Sequence, residues 1–101
     1  KSQRIIGDNV SKAIVDLLSA YLHKTHKVEE GFQLNHSWFK SEKVYEKLPE
    51  FDNKKAIVGK MIVLERICEK LSYGSSQPKV KSEEAIKLFT ALEKQLKTIL
   101  T

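Results

Sequence analysis

Lys54–Tyr73, KKAIVGKMIVLERICEKLSY, decides the fold. Within it Ile57, Met61, Leu64, Cys68 and Leu71 recur every three or four residues, and Val58, Ile62 and Ile67 widen the stripe. That is the 3.6-residue period of a helix whose apolar face is broader than a coiled-coil seam. Such a helix needs apolar neighbours on more than one side, which makes it the central member of a bundle. Asp52 or Asn53 is placed to cap its start, and Gly74 to end it in the left-handed conformation. Gly59 in its interior costs roughly 1 kcal/mol relative to Ala, and close approach of another backbone would account for it.

Upstream, Ile6, Val10, Ile14, Leu17 and Tyr21 form a second stripe, flanked by Ala13, Leu18 and Ala20. The pattern predicts a helix from about Asp8 to Lys24, with Asp8 as N-cap and Gly7 breaking any extension back through Ile5. Downstream, Ser82 is expected to cap a last helix carrying Ala85, Phe89, Leu92, Leu96 and Ile99 on one face, with Ile86, Leu88 and Leu100 beside it. Glu83 with Lys87 and Glu93 with Lys97 are i,i+4 pairs for its wet side. The polar run Gly74–Lys81, GSSQPKVK, is the linker.

The segment between the first two helices reads less cleanly. A turn closed by Gly31 is followed by Leu34, Trp38, Ser41, Tyr45 and Leu48, spaced as one face of a helix over 34–47 that ends before Pro49. Phe32, Phe39 and Val44 fall off that face, and Ser41 offers a later start, leaving only SEKVYEKL helical. The fold expected is all-α: an antiparallel four-helix bundle, or alternatively three long helices with an irregular crossover segment.

The whole of residues 1–101 is the right length for a single helical domain with one core. Because the chain starts at Lys1 rather than Met, it reads as a domain cut from a longer protein. No apolar run approaches the roughly 20 residues that span a bilayer, and no signal-peptide pattern opens the chain. The lone Cys68 cannot form an internal disulfide, which fits an intracellular setting, cytoplasmic or nuclear.

Sites for chemistry are few. His23 and His26 share a helical face as metal ligands can, with His36, Glu29, Glu30 or Cys68 as further donors, but they lack an HExxH or Cys-rich context. No metal and no cofactor is assigned. Cys68 falls on the apolar stripe, where a thiol is inert. Ser37, Ser41 and Ser82 read as caps. Glu65 and Glu69 read as a solvated edge of the central helix. The four glycines are too far apart for a G-x-S-x-G, P-loop or dinucleotide motif. No catalytic residue is assigned and the chain is read as non-enzymatic.

Five of the eight aromatics lie within Phe32–Phe51, mixed with lysines. Aromatics are enriched at interface hot spots. The reading that follows is a protein–protein interaction module. A groove between helices takes a partner helix or acidic peptide, with Trp38, Phe39, Tyr45, Lys43 and Lys47 as contacts. The net charge of +5 raises an alternative, a nucleic-acid face of Lys40, Lys43, Lys47, Lys54 and Lys55. Against it, sixteen of the eighteen bases are Lys, whereas base readers lean on Arg. Self-association into a larger bundle is the third reading.

Overall fold

The structure, a computed structural model, describes residues 2–73 and 77–100. Helix α1 spans Ser2–Lys24, α2 Val44–Lys47, α3 Lys54–Tyr73 and α4 Lys79–Leu100, with a 3-10 turn at His36–Lys40 between α1 and α2. The described residues contain no strand. The all-α bundle expected from periodicity is the observed architecture. Three long helices carry it, and residues 25–53 cross irregularly from α1 to α3.

All eight apolar positions assigned to α3 are buried, from Ile57 at 0% exposure to Ile67 at 8%. Around it α1 and α4 pack on two sides and the crossover on a third. Ser11 and Gly7 of α1 meet Glu65 and Cys68 of α3, so these two helices run antiparallel. Gln3 grips the backbone of Gln77 through both ends of its amide, so α1 and α4 start side by side and run parallel. The core is continuous across the three helices and the crossover, where Phe39, Val44, Leu48 and Phe51 enter it. Phe51 meets the buried Tyr21 edge-on, with ring centroids 5.7 Å apart.

Three local expectations need correction. First, α1 begins at Ser2, not Asp8, and Gly7 lies inside it. A Cβ at Gly7 would sit 2.6 Å from Ser72 Oγ and 2.8 Å from the Cys68 carbonyl oxygen. Gly7 is therefore the point where two backbones touch, the role the sequence assigned to Gly59. At Gly59 the nearest neighbour is only the Tyr45 hydroxyl, 3.4 Å away. Asp8, freed from capping, accepts instead from the Ser72 hydroxyl at 2.7 Å. The buried face of α1 is also rotated: Val15 and Leu22 are buried while Leu17 is only half-buried.

Second, α4 starts at Lys79, directly after Pro78, and Ser82 is a buried residue of its first turns rather than a cap. The Lys81 N–H bonds the Pro78 carbonyl at 2.9 Å. Proline at the entrance fits because its missing donor is not needed there. Of the two ion pairs expected on α4, Glu93–Lys97 forms at 3.2 Å, while Lys81–Glu84 takes the place of Glu83–Lys87.

Third, the continuous helix over 34–47 is absent. Asn35 Oδ1 accepts from the Ser37 N–H at 2.8 Å and starts the 3-10 turn, and Ser41, extended at φ −143°, ends it. The Ser41 hydroxyl then accepts from the Lys43 N–H at 3.3 Å as the chain turns into α2. A side-chain cap at Asn35 and a side-chain turn at Ser41, six residues apart, reset the helical register, and Phe39 and Val44 are both buried. The end of α1 at Lys24 is as expected, and the residue that terminates it is His26, left-handed at φ 58°. The Lys27 N–H bonds back to the Leu22 carbonyl at 2.9 Å, the bond that closes a Schellman motif. Gly31 closes its own later turn, Glu29–Phe32.

Asn53, at φ 60°, precedes α3 and offers its carbonyl to the Ile57 N–H at 2.9 Å. The left-handed glycine expected at Gly74 and the first part of its linker lie outside the described residues. So do the side chains of Ile99 and Leu100.

The two helical glycines should respond in opposite directions. Gly7→Ala forces the α1 and α3 backbones apart, an overpacking cost of about 1–3 kcal/mol that exceeds the roughly 1 kcal/mol gained in propensity. Gly59→Ala meets only a hydroxyl tip and should stabilise by up to about 1 kcal/mol. Urea unfolding of the two variants beside the parent checks both signs.

Candidate functional site

The five residues expected to bind a partner do not form one surface. Phe39 is 1% exposed and belongs to the core, so it cannot be a contact. Tyr45 is half-buried, donates its hydroxyl to the Lys55 carbonyl at 3.3 Å, and lines a depression with Glu42, Glu46, Glu50 and Lys55. Trp38 stays with Lys47. Trp38 is half-buried, its ring stands edge-on to Phe32 at 6.1 Å, and it carries the Lys47 ammonium 5.3 Å from its centroid. Lys43, one turn from Lys47, is exposed. An ammonium over an indole face gains roughly 0.5–1 kcal/mol at an exposed site and fixes both side chains. What remains of the expected cluster is a platform: Trp38 backed by Phe32, covered by Lys47 and bordered by Lys43.

The expected nucleic-acid lysines divide in the same way. Lys40 pairs with Glu69 at 3.1 Å. The Lys54 side chain is only 10% exposed, and its ammonium donates to the carbonyls of Tyr45 and Leu48 at 2.9 and 3.0 Å and to Glu50 at 3.0 Å. Those carbonyls close the end of α2, so Lys54 is a structural clamp. Lys55 sits in the acid-lined depression. Lys43 and Lys47 alone share an open flank.

A cavity of about 540 Å³ opens between α1, α3 and the start of the crossover. Its organising residue is Glu65, which is 6% exposed rather than on a solvated edge. A carboxylate so placed loses several kcal/mol of hydration. Two partners offset that loss. The Ser11 hydroxyl donates to Oε1 at 2.7 Å, and His36 Nδ1 meets Oε2 at 3.2 Å. One turn along, Glu69 pairs with Lys40, so two contacts tie the crossover to the same flank of α3. The signal in sequence was position rather than type: Glu65 falls between Leu64 and Cys68, inside the broad apolar stripe.

Chemically, this cavity is committed to holding structure together. Ser11 spends its hydroxyl proton on Glu65. Cys68 is buried, and its thiol is pushed up to about 12 by desolvation first and by the nearby Glu65 and Asp8 carboxylates second. The histidines lie apart: His23 Nε2 faces the Phe32 carbonyl at 3.1 Å, His26 is exposed at the helix end, and His36 is on Glu65. Among the described residues no three His, Cys, Asp or Glu converge on a metal position. No helix among the described residues is long and apolar enough to cross a membrane. Compared with family models, with curated proteins and with solved structures, the chain matches none.

Lys54→Met should lower stability by about 1.5–3 kcal/mol, the range for hydrogen bonds from a charged group, because it strips the partner from two carbonyls. Lys55→Met should stay within about 0.5 kcal/mol. Thermal unfolding of the pair separates the clamp from an ordinary surface lysine.

Cys68 should resist iodoacetamide in the native state at pH 8.5 and react at least about a hundredfold faster in denaturant, since a thiolate is the reacting species. The folded thiol ionises near 12 and the unfolded thiol near its ordinary 9.0. The stability due to keeping it neutral is therefore whole below pH 9 and lost as pH rises toward 12. Cys68→Ala should flatten that alkaline loss in a pH series of unfolding curves.

Proposed function

We propose that this chain is a non-enzymatic helical interaction module that takes an acidic segment of a partner protein on the Trp38 platform. One observation carries the reading: the only tryptophan is half-buried against the core and lies beneath Lys47, with Lys43 exposed one turn away. Tryptophan buries a large area at low entropic cost, and a pre-set ring loses little on binding. An acidic side chain arriving at Lys43 and Lys47 gains charge complementarity, while an apolar neighbour in the same segment covers the indole edge. The acids of the segment do not oppose this, because Glu42 and Glu46 line the separate Tyr45 depression.

The inert Cys68 thiol and the committed Ser11 hydroxyl support a binding role over a catalytic one. The lone buried thiol also fits a reducing, intracellular setting, the cytoplasm or nucleus. The nucleic-acid alternative has less support, because the five lysines that would carry it are spread over an ion pair, a carbonyl clamp, an acidic depression and only two open positions.

Trp38 emission reports the platform directly, since no other tryptophan is present. A short synthetic peptide of Glu and Asp around one Phe should shift that emission saturably. Lys43→Glu and Lys47→Glu should each weaken binding roughly three- to tenfold. Trp38→Ala should abolish binding measured by calorimetry while the protein still melts cooperatively. Equal affinity for the same peptide with Lys in place of its acids would refute the reading.

A further inference from the structure

The flank of α3 that faces away from Glu65 and Glu69 carries a second feature. Val63, Ile67 and Lys70 lie about half a turn around the helix from those carboxylates. Val63 is 48% exposed, and Ile67 lies at the base of the same depression at 8%. From α4, Lys81 and Glu84 face them, closing a groove of about 200 Å³. Val80, 60% exposed, precedes Glu84 by one turn and so extends the same face of α4. Two valines left in water are unremarkable singly. Val63 lines the groove itself, while Val80 lies outside its lining, one turn before Glu84 on the neighbouring antiparallel helix.

The rim is cationic. Arg66, Lys70 and Lys81 border the groove against a single carboxylate, Glu84. Glu84 is itself taken by Lys81 at 3.4 Å. Arg66 and Lys70 have no acidic partner among the described residues. We propose that this α3–α4 groove docks an amphipathic helix of a partner protein. An apolar position of that helix would seat on exposed Val63 above the buried Ile67, a further one would reach toward Val80 beyond the groove, and its acidic residues would meet Arg66 and Lys70. The charge selects this occupant over a second copy of the chain. An isologous pairing would lay Arg66 and Lys70 against themselves, in a molecule already at +5. The site is separate from the Trp38 platform and does not depend on it.

The probe is a synthetic helical peptide with Leu at i, i+3, i+4 and i+7 and Glu on both borders, compared with the same peptide bearing Lys borders. Titration calorimetry of the intact chain at low and high salt should show binding of the Glu peptide, weakening with salt, and little of the Lys peptide. The double variant Arg66→Glu/Lys70→Glu should weaken the Glu peptide by about tenfold or more. Val63→Asp should do the same, and both variants change exposed positions that the fold does not need. Trp38→Ala should leave this binding unchanged, which separates it from the platform. Equal binding of the two peptides would overturn the proposal, as would loss of binding in Trp38→Ala but not in the α3 variants. Sedimentation showing a dimer that Val63→Asp dissociates would overturn it in favour of a second copy.

Discussion

With no side chain at position 7, the α1 backbone lies against the Cys68 carbonyl of α3, and the geometry of the rest follows from that approach. Close backbones put Ser11, one turn further along α1, within hydrogen-bond reach of Glu65. Glu65 is thereby satisfied inside the apolar stripe and can take His36 as its second partner. His36 and Lys40 then anchor the crossover against α3, and the crossover delivers Phe39 and Val44 to the core. The close approach also sets the entry to α4, because α1 must reach back as far as Ser2 for Gln3 to grip Gln77. A glycine expected to break a helix is what allows that helix to be long.

Periodicity carried the three long helices because their burial is dictated by their own repeat. Every residue of the apolar stripe read on α3 is inside, and the all-α class follows from such repeats. The ends were misjudged where a local signal competed with tertiary packing. Asp8 and Ser82 are good caps by residue type, yet each lies inside a helix that continues past it. The crossover failed for another reason. A spacing of four, three, four and three is compatible with one helix, but Asn35 and Ser41 each restart the backbone. A helical wheel drawn through a restart assigns inside and outside wrongly, which is why Phe39 and Val44 looked superfluous and are buried.

The candidate surface was legible in composition and not in geometry. Aromatics and lysines crowd residues 32–55, and that density is real, but its members have three separate fates. Phe39 fills the core, Tyr45 faces a depression lined by acids, and Trp38 lies half-buried beneath Lys47. Glu65 was missed because residue type outweighed position. A carboxylate is expected in water, whereas its neighbours Leu64 and Cys68 already marked the inward face of α3.

The lysines show why net charge is a poor guide to partners. Lys54, Lys40 and Lys81 are each held by carbonyls or carboxylates of their own chain. A base already paired has little field to offer a ligand, so the +5 of the chain overstates its reach. In two places charge stands with apolar surface beside it: Lys43 and Lys47 at Trp38, Arg66 and Lys70 at Val63. Phosphate backbones are bound through charge with little need for exposed valine, whereas an acidic amphipathic segment uses both at once. The proposal of a protein partner rests on the pairing of cation with apolar surface rather than on the number of lysines.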